Sequence, residues 1–227
     1  MPAEISIIIP TLNAEDHLPA CLATLMEGLS AGLIRELIVT DGGSTDATCR
    51  IADAAGANIA TGPASRGGQL RRGVAQARGR WLLVLHADTQ LEPGWAAVVA
   101  EHIANGQGTS AYFRLAIRAR GLMPIWFAGW ANLRSYVFGL PYGDQGLLVL
   151  RSTYDRAGGY PDQPLMEDVA LVRALPRPLT ALSARAFTSA ERYRRVGWLR
   201  RGAANLWTLV RYFAGVDPKV LAVQYQR

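Results

Sequence analysis

Apolar residues alternate between two patterns along the first half of the chain. Short, nearly unbroken runs occur at Ile5-Ser6-Ile7-Ile8-Ile9, at Glu36-Leu37-Ile38-Val39-Thr40 and at Trp81-Leu82-Leu83-Val84-Leu85. Runs of this length suit strands buried on both faces of a parallel sheet. Between them the spacing changes to three and four. Leu18, Cys21, Leu22, Leu25, Met26 and Leu29 mark one helix face, and Trp95, Val98, Val99, His102 and Ile103 mark another. A further helix follows through Ile51 and Ala55, and one begins at the Arg66-Gly67-Gly68 stretch, runs to about Arg78 and stops at Gly79. Asn58–Thr61 reads as a short strand. Strand and helix in repeated alternation predict an α/β fold with a mostly parallel sheet.

Local punctuation sharpens these boundaries. Pro10 ends the first strand, and Asn13 is placed to cap the next helix, with Glu15 and Asp16 in its first turn. The second strand ends at Asp41, and Gly42 and Gly43 permit a tight turn there. Ser44 or Thr45 can cap the helix that follows. The third run is read as a strand from Trp81 to Asp88.

The second half is less regular. Ala111–Arg118, Leu147–Arg151 and Leu179–Phe187 read as strands, and Glu167-Asp168 opens a short helix. Residues 122–140 are rich in Trp, Phe, Tyr and Gly. They suit an irregular helix over a pocket or an interfacial segment, with core packing favoured for the aromatic residues. His102, on an apolar helix face, is expected to be structural.

Composition adds three constraints. No apolar run reaches the ~18 residues of a membrane span, and no basic segment followed by an apolar stretch opens the chain, which predicts no signal peptide. Cys21 and Cys49 are far apart with no CxxC, as expected of buried thiols in a reducing cytoplasm. The net charge of +6 is unevenly spread: residues 182–227 hold nine basic and two acidic residues, a net of +7. Such a tail either meets an anionic surface or substrate or forms a solvated helix face.

Candidate chemistry gathers where strands end, because ligands of open α/β sheets bind at the carboxyl edge. Asp88 either ligates a divalent cation or turns the chain and caps the helix starting near Pro93. Asp41 can accept hydrogen bonds from a ribose or base edge. Arg66 and the glycines beside it can receive phosphate oxygens. Glu167 and Asp168, at a helix N-terminus, also have a purely structural reading. The first strand lacks a following GxGxxG, and GxxxxGK[ST], HExxH and GxSxG are missing. These absences argue against dinucleotide-dependent dehydrogenases, Walker-type NTPases, zinc peptidases and α/β hydrolases.

Several stretches together resemble family 2 glycosyltransferases: Ser6-Ile7-Ile8-Ile9-Pro10-Thr11-Leu12-Asn13, Asp41-Gly42-Gly43-Ser44-Thr45-Asp46, His86-Ala87-Asp88, Gly158-Gly159-Tyr160 and Glu167-Asp168. With Asp144-Gln145 and Leu165-Met166, the chain resembles more closely a small bacterial subgroup often labelled arsenosugar-biosynthesis glycosyltransferases. The resemblance implies a GT-A-type, Rossmann-like α/β/α sandwich over residues 1–190. Residues 191–227 would be a basic, aromatic-rich helical tail packed on it. It implies transfer of a sugar from a nucleotide-sugar, UDP- or GDP-linked, to an acceptor hydroxyl with inversion.

The implied roles are specific. Pro10, Thr11, Asn13, Asp41, Gly43, Arg66 and Asp88 would bind the nucleotide, and Asp88 would hold Mn2+ or Mg2+. Asp168 would be the catalytic base with Glu167 as its neighbour, and Asp144, Gln145 and Arg192 would face sugar or acceptor. His86 stands where the wider family has the first Asp of its metal motif and is expected behind the ligand sphere. The acceptor would be a small molecule or lipid-linked, no nucleic acid partner is expected, and the tail would allow peripheral contact with an anionic membrane. Rival readings are a nucleotidyltransferase, disfavoured because Pro10–Asn13 is not a Gly-rich loop, and a non-catalytic nucleotide-binding peripheral membrane protein.

Overall fold

A computed structural model describes residues 3–225, except the side chain of Arg192. The first half runs β1 (Ile5–Thr11), α1 (Leu18–Ser30), β2 (Ile34–Asp41), α2 (Thr48–Ala54), β3 (Asn58–Thr61), α3 (Arg66–Gln76) and β4 (Trp81–Val84). The second half adds β5 (Gln90–Leu91), α4 (Trp95–Asn105), β6 (Ala111–Arg118), α5 (Leu122–Phe138), a 3-10 turn (Gly143–Gln145), β7 (Leu147–Leu150) and α6 (Arg151–Arg156). It closes with α7 (Glu167–Ala174), β8 (Thr180–Ser189), α8 (Glu191–Val196), α9 (Trp198–Phe213) and α10 (Pro218–Tyr225).

The strands form one sheet in the order β3-β2-β1-β4-β7-β6-β8-β5. β1 to β4 are mutually parallel, and β6 is parallel to β8. β7 runs antiparallel between β4 and β6, and β5 runs antiparallel to β8. Side chains alternate across this sheet as the strand period demands. Ile5, Ile7, Ile9, Leu83 and Leu85 pack with Leu18, Cys21 and Leu25 of α1 and Trp95 and Val99 of α4. Ile8, Ile38, Leu82 and Val84 pack on the other face with Leu70 and Val74 of α3 and Leu171 and Val172 of α7. The result is the expected three layers. Ser6, the polar member of the first run, is fully buried; it donates to Glu36 at 2.6 Å and accepts from the Gly79 N–H at 2.7 Å.

Several boundaries differ from the expectations. β4 ends at Val84, not Asp88; the Thr89 N–H bonds the His86 carbonyl at 3.0 Å, turning the chain beyond the strand. α1 begins at Leu18, and Asn13 does not cap it: Asn13 sits at φ 49 and accepts from the Thr45 N–H at 2.9 Å. Asp46, not Ser44 or Thr45, accepts from the Thr48 N–H at the head of α2, at 3.0 Å. α3 stops at Gln76, because a side chain at Gly79 would lie 2.5 Å from the Ser6 nitrogen and that residue must run against β1. α5 is a continuous helix whose Pro124 falls in its first turn, where the missing N–H is tolerated. Its aromatic residues are not mainly core: Trp126, Trp130, Tyr136 and Phe138 are exposed, while Phe127 is buried. His102 is structural as expected, its Nε2 lying 2.8 Å from the Thr109 carbonyl oxygen.

The helices after β8 pack against earlier elements at two places. Leu209 and Leu221 meet Leu165, Met166 and Val169, and Tyr193 and Trp198 meet Phe127. Among the described residues, no helix is long and apolar enough to cross a membrane.

Candidate active site

Parallel register brings three chain ends to one edge. Thr11 pairs with Asp41, and Ile8 pairs with Val84, so the segments after β1, β2 and β4 emerge side by side. The first two are stitched together. The Asn13 N–H donates to Ser44 Oγ at 2.8 Å, the Ala47 N–H to Glu15 at 2.8 Å and the Ala14 N–H to Thr48 Oγ1 at 2.8 Å.

Asp41 is 1% exposed and organises this loop pair. One carboxylate oxygen accepts from Thr11 Oγ1 (3.0 Å) and Ser44 Oγ (2.5 Å); the other accepts from the N–H groups of Gly43 (2.8 Å) and Ser44 (2.7 Å). Burial pushes its pKa up, but these bonds to the ionised form outweigh burial and hold it below the usual carboxylate value. Gly43 can adopt the φ of 96 that the turn requires. Gln69, given no role from sequence, donates from Nε2 to the carbonyls of Thr11 (2.8 Å) and Thr40 (2.7 Å) and ties α3 to both strand ends.

A cleft opens beside this edge, lined by Arg66, His86, Asp88, Gly143, Asp144 and Asp168. Each comes from a different constraint. Ser65 caps α3 through the Gly68 N–H and bonds Asp162, and a Cβ on Gly67 would sit 1.9 Å from the Pro161 carbonyl oxygen. That close approach sets Arg66 beside the start of α7. Asp88 follows β4 and accepts from Thr188 of β8 at 3.2 Å; Arg118 holds its carbonyl at 3.2 Å. Asp168 accepts from the Gly143 N–H with one oxygen and the Val169 N–H with the other, both at 2.7 Å. A side chain on Gly143 would meet the His86 ring at 2.4 Å, so glycine is what lets the turn close over His86.

Three carboxylates share the cleft with Arg66 and Arg201. Asp144 has one oxygen buried with no partner among the described residues. Burial chiefly, with Asp168 and Asp88 adding and Arg134 opposing, pushes its carboxyl up to about 6. Glu167 is 2% exposed with an unpartnered oxygen, and burial together with the Asp168 carboxylate, against Arg66, pushes it up to about 7.

The cleft therefore unites Arg66, Asp88, Asp144 and Asp168 from the expected set. Pro10, Thr11, Asn13, Asp41 and Gly43 lie along the adjoining strand ends instead. Gln145, expected at sugar or acceptor, is fully buried: it accepts from Ser135 Oγ at 2.6 Å and donates to the Phe113 carbonyl at 3.3 Å, locking the turn to α5 and β6. The Arg192 side chain lies outside the described residues. Tyr193, which with Arg192 loosely resembles a pair that processive family members use near diphosphate and acceptor, also lines the cleft, and so do Thr188, Arg201, Asn205 and Tyr225, which sequence reasoning missed. Tyr225 donates to Asn205 at 3.0 Å and receives Arg201. The only signal for these was the arginine and aromatic interleaving of the tail, which points equally to a lipid surface.

The chain is similar to several known proteins. Glycosyltransferases labelled "PGL/p-HBAD biosynthesis", from Mycobacterium bovis and Mycobacterium tuberculosis, are 38% identical over 109 residues, 43% of this chain. The match spans 42% of those relatives, less than half their length. Staphylococcus aureus TarS (residues 1–349) superposes with a TM-score of 0.63 at 13% identity, over 98% of this chain and 70% of that one. Glucosyl-3-phosphoglycerate synthase of M. tuberculosis, solved with Mn2+, UDP and phosphoglyceric acid, gives 0.55 at 22% identity, over 79% and 68%. These likenesses establish the expected GT-A-type fold with its curled, mostly parallel sheet. The model of the family "Glycosyl transferase family 2" matches residues 6–142, more than half of the 227, and the chain belongs to that family.

Proposed function

We propose that this chain transfers a sugar from a nucleotide-sugar to an acceptor hydroxyl with inversion, using a divalent metal and Asp168 as base. The observation that carries the reading is the convergence of Asp88, Arg66 and Asp168 on one cleft at the carboxyl edge of the sheet. A UDP-linked donor is the first choice, since the superposed synthase holds UDP, and a GDP-linked one the second. The residues fit a metal carried in by the nucleotide. No cluster of three or more His, Cys, Asp or Glu able to hold a metal occurs among the described residues. Asp88 is an oxygen donor in the cleft, and a small hard cation needs only one or two carboxylates plus phosphate oxygens and water. Mn2+ or Mg2+ bound there would neutralise charge on the departing diphosphate.

The chain's own groups divide the remaining work. The loops after β1 and β2, held rigid by Asp41 and Asn13, form the wall that receives base and ribose, with Pro10, Thr11 and Gly43 contributing backbone. Arg66 adds positive charge for the diphosphate. Asp168, fixed by two backbone N–H groups, takes the proton of the acceptor hydroxyl as that oxygen attacks the anomeric carbon. In-line attack from the face opposite the diphosphate inverts that carbon. Glu167, held neutral to higher pH, avoids placing a second charge against Asp168. Asp144 faces the sugar or acceptor. The reaction is assigned to the cytoplasm, where both free cysteines would stay reduced.

Thermal shift against UDP- and GDP-sugars, with and without Mn2+, tests the reading. A saturating donor at a hundred times its Kd stabilises by about 2.7 kcal/mol. One donor should raise Tm in a metal-dependent way, and Asp88→Ala should abolish the metal-dependent part. If no nucleotide-sugar shifts Tm with metal present, or Asp88→Ala keeps the full gain, the assignment is wrong.

A further inference from the structure

The outer face of α5 is inverted relative to an ordinary surface helix. Leu122, Ile125, Trp126, Leu133 and Tyr136 repeat at helical spacing and all point outward; Leu122 is 83% and Tyr136 80% exposed. The inner face packs Phe127, Ala128 and Ala131 and turns its few polar groups, Asn132 and Ser135, into hydrogen bonds with Leu115 and Gln145. The helix's one charged residue, Arg134, turns inward, its guanidinium 3.5 Å from the centre of the Tyr142 ring. A surface helix ordinarily turns its apolar face to the core and its polar face to water, and an exposed apolar stripe of this size marks an interaction surface.

α9 carries a second such stripe: Leu206, Trp207, Val210 and Phe213 are exposed. The two helices are neighbours. Phe127 of α5 reaches Gly202 of α9 so closely that a Cβ there would lie 2.3 Å from the ring, and Trp198 lies 5.6 Å from the same ring, centre to centre. The exposed apolar positions thus belong to adjoining elements.

We propose that the outward faces of α5 and α9 form one surface that lies in the headgroup layer of an anionic lipid bilayer. Charge selects this occupant. Arg194, Arg195 and Arg200 are exposed beside the stripes, and Glu191 and Asp217 are the only acidic residues from 191 to 225. Basic residues next to Trp and Tyr suit the interface of an anionic membrane. A second copy of the chain would set these arginines against their own kind, which opposes association. α5 has 17 residues, and no described helix can span, so both helices lie in the membrane plane. The docking stands on this surface alone. Its functional consequence rests on the transferase reading: Tyr193, Arg201 and Asn205 of the same region line the cleft, so docking presents the cleft to an acceptor hydroxyl carried on a lipid.

Sedimentation of the full chain with vesicles tests the proposal. Phosphatidylglycerol-containing vesicles should pellet the protein, phosphatidylcholine vesicles much less, and added salt should weaken the binding. Each basic residue near an anionic surface is worth about fivefold in partitioning. Arg194→Gln, Arg195→Gln and Arg200→Gln together should therefore weaken it on the order of a hundredfold. Trp126→Ser with Trp207→Ser, both at exposed positions, should also abolish pelleting, while circular dichroism and the thermal shift with nucleotide-sugar stay unchanged. Equal pelleting with both vesicle types overturns the proposal. So does wild-type pelleting by the tryptophan variant, or a concentration-dependent dimer in ultracentrifugation that the same variant breaks. Failure of docking leaves the donor thermal shift intact, so it is distinguishable from failure of the transferase reading.

Discussion

Glu167→Gln isolates the cost of the buried acid beside the proposed base. Glu167 is 2% exposed, and its carboxyl is raised from an ordinary 4.5 to about 7 by burial and by the Asp168 charge. The folded state therefore holds a proton that the unfolded chain releases. Below pH about 4.5 the group is neutral in both states and costs nothing. Between 4.5 and about 7 the unfolded chain gains by ionising while the folded chain does not, and stability falls. Above about 7 the penalty levels off at the shift times 1.36 kcal/mol per unit, on the order of 3 kcal/mol. Glutamine keeps the shape and cannot ionise, so the variant lacks this slope. Urea unfolding of both proteins at steps from pH 4 to 8 measures it; titrating groups distant from Glu167 cancel in the difference, which reports the Glu167–Asp168 pair. The stability of the variant relative to wild type should rise across that range by on the order of 3 kcal/mol, most steeply between 4.5 and 7. A difference that stays flat with pH would refute the burial argument, and with it the assignment of Glu167 as the neutral neighbour of Asp168.

Two further substitutions address the cleft. In Asp168→Asn the amide can accept from only one of the two N–H groups now bonded, at Gly143 and Val169. It should lose about 1–3 kcal/mol of stability, keep its donor thermal shift, and release nucleoside diphosphate ~10²–10⁴-fold more slowly; release at the wild-type rate would remove Asp168 as base. Gln69→Leu removes the donor shared by the Thr11 and Thr40 carbonyls and should cost about 1–3 kcal/mol in urea unfolding together with weaker nucleotide binding. Unchanged stability would mean that water replaces the amide.

What the sequence determined by itself is what neighbouring residues decide among themselves. The runs at Ile5, Glu36 and Trp81 are strands because a buried strand needs apolar residues on both faces, and the three-and-four spacing between them makes helices. Asp41, Asp88 and Glu167-Asp168 were legible because a carboxylate closing an apolar run, or opening a helix, stands out locally. What only the tertiary structure decided depends on which surfaces meet. β7 enters antiparallel between β4 and β6, and β5 pairs two residues of β8 from nearly a hundred positions away; no local pattern encodes such pairing. Asn13 does not cap its own helix because the loop after the neighbouring strand offers it the Thr45 N–H, and Asp46 takes the cap of α2 expected of Ser44 or Thr45. Gln145 reads as a polar residue free for a ligand, yet burial forces its amide to bond α5 and β6. α5 is the sharpest case. Helical periodicity assigns the polar side to water, but in α5 Asn132, Arg134 and Ser135 are bonded inward, so only packing reveals that an apolar side is left open.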